Sequence, residues 1–174
     1  MFETRSKIFI FFVDHSTEYS NSLIRSIENQ SDYEIRSFAS GEKFIAFLNQ
    51  MTFRKKDIYI TFLGYQFFDE GNQTLMNGIE ILESAKVINK NIEVVMLTGE
   101  DESEYGSYVM KSGAYTFIPK NENIYLRINN IIMAIISKTR LDQKRIEFKI
   151  SLQLLIGYII LLIITGILYT LFSK

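Results

Sequence analysis

Cysteine is absent from this 174-residue chain, histidine occurs once, and neither sign of charge prevails. Without cysteine there is no disulfide framework, no thiolate metal site and no cysteine nucleophile, which fits a reducing compartment and makes the cytoplasm the expected surroundings of the polar part. The 19 basic and 20 acidic residues give a formal net charge of −1, so no global field draws the molecule to nucleic acid or to acidic substrates. Partners must be recognised locally. The one histidine, His15, has no second histidine or cysteine with which to share a metal, and it is read as a polar side chain at a strand–helix junction rather than as a ligand or phosphoacceptor.

What the chain does hold is apolar material, 47% of the residues, enough for one compact domain with a short appendage. That material is unevenly spread. Residues 150–173 read ISLQLLIGYIILLIITGILYTLFS without a charge, which at 1.5 Å per residue makes roughly 36 Å of helix, longer than a hydrocarbon core of about 30 Å. The stretch is expected to be a single transmembrane helix. The run at 8–13 is too short for the core of a signal peptide and is followed at once by Asp14 and His15, so the domain is not expected to be exported. Lys138, Arg140, Lys144, Arg145 and Lys149 precede the apolar stretch, against Asp142 and Glu147 on the same side and Lys174 beyond it. The positive-inside bias then predicts a single-pass protein of the inner (cytoplasmic) membrane with its N-terminal domain in the cytoplasm. The same basic cluster can rest on anionic headgroups.

Residues 1–120 alternate between two periodicities. Residues 7–13 (KIFIFFV) are a continuous β-prone run of the kind found in a strand covered on both faces. Ser16 and Thr17 can cap a helix with Leu23, Ile24 and Ile27 on its apolar face, ended by the polar cluster 29–32. A second strand is predicted over 33–38, a helix opening at Ser40 with Phe44, Ile45, Phe47 and Leu48, and a third strand over 57–63. An extended glycine-bearing loop, 64–75, delays the next helix, 76–88. A fourth strand over 92–97, a weakly patterned helix over 102–111, a turn at Gly113 and a short fifth strand over 115–118 follow. The last helix starts near Asn123 with Ile124, Ile128, Ile131, Ile132 and Ile135 as its stripe, and neither glycine nor proline interrupts it before Gly157. Strands and helices alternating at this spacing predict an α/β fold, a doubly wound five-stranded parallel sheet of flavodoxin-like order 2-1-3-4-5 with its site at the carboxyl ends of the strands. The expected division is a domain over 1–136, a basic juxtamembrane segment over 137–149 and the span over 150–173.

At those strand ends lie Phe12-Val13-Asp14-His15, Met76-Asn77-Gly78, Met96-Leu97-Thr98-Gly99 and Lys111-Ser112-Gly113-Ala114-Tyr115-Thr116-Phe117-Ile118-Pro119-Lys120. Together and in this order they resemble the receiver domains of bacterial two-component response regulators, over about residues 7–135. The resemblance implies a pocket at Asp14, His15, Phe62, Thr98 and Lys120, with Phe117 at the switch aromatic, and a partner face formed by the fourth helix, fifth strand and fifth helix. It also exposes departures. Counting five residues on from Asp57 puts Phe62 at the acceptor aspartate, and a phenyl ring accepts no phosphoryl group. His15 replaces the second residue of the family's acidic pair, leaving a magnesium site with Asp14 as its only carboxylate. Phosphoryl transfer needs both an acceptor oxygen and a cation.

The implied function is that of a pseudo-receiver, a non-enzymatic module without a cofactor that binds protein partners, membrane proteins included, independently of phosphorylation. The alternative is a working phosphorelay receiver with a displaced acceptor, Asp69, and bound magnesium. A flavodoxin-like cofactor binder is disfavoured because the loop after strand one, DHSTEYSNS, has no glycine to bring its amides up to a phosphate. Sequence does not fix the oligomeric state.

Overall fold

A computed structural model of the chain describes residues 6–65, 76–99 and 106–172. Five strands and five helices alternate along it: β1 (Ile8–Val13), α1 (Thr17–Arg25), β2 (Glu34–Phe38), α2 (Gly41–Gln50), β3 (Ile58–Gly64), α3 (Gly78–Ile88), β4 (Ile92–Thr98), α4 (Gly106–Lys111), β5 (Thr116–Pro119) and α5 (Ile124–Phe172). A single 3-10 turn, Gln30–Asp32, precedes β2. The sheet has the order β2-β1-β3-β4-β5 with every pair parallel, as the alternation of elements predicts. The helix expected over 102–111 is described from Gly106 onward; the first residues of that expectation, and Asp69 with most of the 64–75 loop, lie outside the described residues.

Strand pleat explains how one sheet feeds two cores. In β1, Ile8, Ile10 and Phe12 join Leu23 of α1, Ile27 just beyond it and the isoleucines of α5, while Phe11 and Val13 face Phe44, Leu48, Ile81 and Leu82 on the other side. Successive side chains on a strand point to opposite faces, so a strand covered on both sides must be apolar throughout. β3 meets that demand, with all seven residues buried. Among them Thr61 carries a buried hydroxyl without a hydrogen-bond partner.

The helix starts follow from local chemistry. Ser16 accepts from Tyr19 N at 3.2 Å and Ser40 from Lys43 N at 3.4 Å. Asn77 and Glu80 form a reciprocal capping box, which opens α3 at Gly78, two residues later than its apolar pattern suggests. α1 stops a turn before the polar cluster 29–32. The Ser26 hydroxyl and backbone both donate to Leu23 O, and Asn29 turns the chain with φ 53°. Gly113, at φ +98°, makes the turn into β5.

The chain divides into two compact units, Met1–Ile136 and Ser137–Lys174. In the first, α5 buries Ile124, Ile128, Ile132, Ile135 and Ile136. In the second, every helical residue whose burial is described, from Ser137 through Tyr169, is partly or fully exposed, and those from Lys144 onward are all exposed. Leu154 and Tyr169, for example, expose 71% and 75% of their surface. The helix is long and apolar enough to cross a membrane, with a window of mean hydropathy 2.1 of which nothing is buried.

Candidate functional site

Asp14 follows β1 directly, and its backbone N donates to Phe38 O at 3.1 Å, which fixes it between β1 and β2. Its side chain is 2% exposed. A buried carboxylate demands compensation, and Asp14 receives it from two donors, with His15 alongside. Lys120 Nζ approaches Oδ2 at 2.7 Å, Ser16 N donates to Oδ1 at 2.9 Å, and His15 Nδ1 lies 3.3 Å from Oδ1. Lys120 is aimed by its own backbone: it follows β5, and its N donates to Thr98 O at 2.8 Å. Thr98 is buried at the end of β4, in register with Pro119. The structure thus brings Asp14, Thr98 and Lys120 together, with His15 on the rim, 61% exposed in its side chain.

Phe62 is elsewhere. It is fully buried and stacked on Phe12, with ring centroids 5.0 Å apart, in the core shared with α1 and α5. The parallel register pairs Val13 with Leu63, so the residue alongside Asp14 is Gly64. A Cβ built on Gly64 would stand 2.8 Å from Asp14 Oδ2. Phe62, the position that the family resemblance gives to the acceptor, thus carries a buried ring, and Gly64, alongside Asp14, carries no side chain. Phe117 packs inward, half-buried, against the α2/α3 core and against Gly106, where an added Cβ would meet the ring at 2.6 Å.

Tyr19, which the sequence reading did not single out, completes the site. Lys120 Nζ sits 4.8 Å from its ring centroid, a cation–π distance. Burial, then the Asp14 charge and Tyr125, push the Tyr19 phenol well above its ordinary value, and its buried hydroxyl has no hydrogen-bond partner. A depression of about 140 Å³ at Asp14 is lined by Asp14, Thr17, Ser20, Ser37, Phe38 and Ala39. Burial also raises Tyr59, against a lesser opposing effect of its hydrogen bond with Arg54. A phenol raised on folding favours the folded state below the unfolded value of about 10, and that contribution is lost as pH climbs past it. In an alkaline titration followed by ultraviolet absorbance, Tyr19 and Tyr59 are expected to ionise after the surface tyrosines, and Tyr19→Phe should remove part of the late phase. An unchanged late phase in that variant would contradict the assignment.

The fold implies magnesium at this place, and the donor set does not fit it. A hard dication takes several oxygen ligands, whereas among the described residues Asp14 is the one carboxylate here, Lys120 occupies its Oδ2, and Gly64 contributes no side chain. Among the described residues no group of three or more His, Cys, Asp or Glu could hold a metal ion.

A family model, the response regulator receiver domain, matches residues 10–130. The chain belongs to that family. Solved structures agree on the fold. The CheY-like receiver domain protein of Methanospirillum hungatei JF-1 is 20% identical with a TM-score of 0.64, covering 79% of this chain and 99% of that one. The receiver domain of a LuxO repressor protein from Vibrio parahaemolyticus is 17% identical, also at 0.64, over 79% and 95%. A chain described as adenylate cyclase from Rhodopirellula baltica is 21% identical at 0.63, over 82% and 96%, so the receiver fold also occurs under an enzyme's description. No curated protein matches.

Proposed function

We propose that this receiver domain is a pseudo-receiver, anchored in the inner membrane by the helix after Lys149 with residues 1–136 in the cytoplasm. There it binds protein partners, membrane proteins among them, without accepting a phosphoryl group and without catalysis. The observation that carries this reading is Gly64. It lies beside Asp14 and offers no side-chain oxygen, while Phe62, at the position that the family resemblance gives to the acceptor, is a buried phenyl ring stacked on Phe12. With Lys120 closed on Asp14 at 2.7 Å, the pair is self-neutralised, and among the described residues the pocket has neither a side-chain acceptor nor a cation site. The five basic residues ahead of the apolar stretch support the orientation.

Incubation with acetyl phosphate and magnesium is expected to leave the intact mass unchanged. A phosphate mapped to Asp69 would overturn this reading in favour of a phosphorelay receiver with a displaced acceptor. One mapped to Asp14 would overturn it as well.

A further inference from the structure

The apolar part of α5 is longer than a bilayer core requires. From Ile150 to Phe172 it makes roughly 35 Å of helix, against about 30 Å of hydrocarbon. A surplus of this kind is accommodated by tilt, and the direction of tilt is set by interfacial anchors. A helix standing along the membrane normal would offer every side of its juxtamembrane segment equally to the headgroups. A tilted one lowers a single side onto them.

The segment 137–149 has such a side. Leu141 and Phe148 are seven residues apart, two helical turns, and therefore lie in one line; Leu155 continues that line into the apolar stretch. Both are well exposed, at 57% and 69%. At 3.6 residues per turn, Arg140 and Lys144 flank the line on one side, and Lys138, Arg145 and Lys149 on the other. Thr139, Gln143 and the exposed Ile146 take the opposite surface, where Ile146 is not flanked by the basic residues, with Asp142 and Glu147 at its margins. The 3.8 Å contact between Arg145 and Asp142 joins two exposed side chains and competes weakly with any outside partner.

We infer that this face binds anionic phospholipid headgroups and so fixes the direction in which the span tilts, an inference that rests on the membrane-anchored reading. The charge matches: each cation near an anionic surface contributes about 1 kcal/mol, while Leu141 and Phe148 enter the acyl boundary and the long basic side chains reach the phosphates. A second copy is a poor occupant, because pairing through this face sets like charges against each other.

The absence of native cysteine allows single labels on the full chain. A fluorophore is attached at Leu141→Cys or at Gln143→Cys, close in height and on opposite sides, and the protein is reconstituted into vesicles carrying a headgroup quencher. In phosphatidylcholine enriched in phosphatidylglycerol, the label at 141 is expected to be quenched about twofold more than the label at 143. The difference should shrink in phosphatidylcholine alone and in the Lys144→Gln/Arg145→Gln variant. Equal quenching at the two positions, or a preference indifferent to phosphatidylglycerol and to that variant, overturns the inference while leaving the anchor intact. A label at 141 shielded from both lipid and aqueous quenchers would assign the face to a protein and overturn it equally. Failure of the chain to insert at all sinks the membrane reading together with it.

Discussion

Replacing Lys120 with methionine should destabilise the domain by about 2–3 kcal/mol, more than most surface substitutions cost. Asp14 is 2% exposed, and among the described residues Lys120 Nζ, at 2.7 Å, is its one full counter-charge. Removing the lysine leaves the carboxylate with one backbone donor and the rim histidine, neither of which offsets burial of a charge. The loss stays below that of a fully enclosed pair because the lysine side chain is 27% exposed, so water screens part of the interaction. The reverse substitution, Asp14→Asn, should cost less, since a long ammonium chain freed from its partner can swing toward solvent. In the double variant Asp14→Asn/Lys120→Met no unpaired charge remains, and most of the loss should return. Urea unfolding of a fragment ending at Ser137 would report this as a lower midpoint at unchanged slope for Lys120→Met. A midpoint equal to that of the parent would mean that the pair is not closed in solution, and the argument for a self-neutralised pocket would fail with it.

That pocket was legible in the sequence to an uneven degree. Asp14, Thr98 and Lys120 stand at the ends of strands that their own composition announces, so their convergence needs only the rule that a parallel sheet gathers its site at one edge. Gly64 was not legible by the same means. Counting from Asp57 presumes how many residues β3 spends before the edge, and the answer depends on pairing with β1, which is non-local. Leu63 opposes Val13, and only that register shows Gly64 beside Asp14. A local signal did exist. The run Ile58–Gly64 stays apolar or β-branched through Leu63 and breaks first at the glycine, and Phe62 in its middle is what the interior of a doubly covered strand contains.

The elements themselves were easier, because both faces of the sheet are buried and the periodicities are strong. Residual differences arose where side chains compete with the pattern. The Ser26 hydroxyl bonds Leu23 O and helps close α1 early, although Ile27 beyond it is still buried. The weak pattern over 102–111 yields a helix described only from Gly106 to Lys111. Tyr19 escaped notice for another reason. On sequence it is one aromatic on a capped helix, and its importance comes from Lys120 arriving over its ring from a strand end 101 positions later in the chain.

Truncation after Ser137 should move the protein wholly from membrane to soluble fraction, whereas the full chain should sediment with membranes and resist carbonate extraction. The isoleucine stripe of α5 up to Ile136 is buried against the sheet and needs no lipid. Past Lys149 the situation reverses. Leu154, Leu155, Tyr158, Leu161, Leu162 and Ile163 are each more than half exposed, and Leu152, Ile156, Ile159, Ile164 and Leu168 nearly so. Covering one such side chain stabilises by about 1.5–3 kcal/mol, so a dozen of them favour the bilayer by tens of kcal/mol, far above any plausible contribution from the basic segment at about 1 kcal/mol per charge. The partition is therefore expected to be all-or-none, and the basic residues alone should not hold the truncated chain at a washed membrane. Recovery of the full chain in the soluble fraction without detergent would refute the span. Retention of the truncated chain would instead place a second membrane or protein contact within residues 1–136, where the exposed Leu126 and Met133 of α5 would be the first positions to substitute.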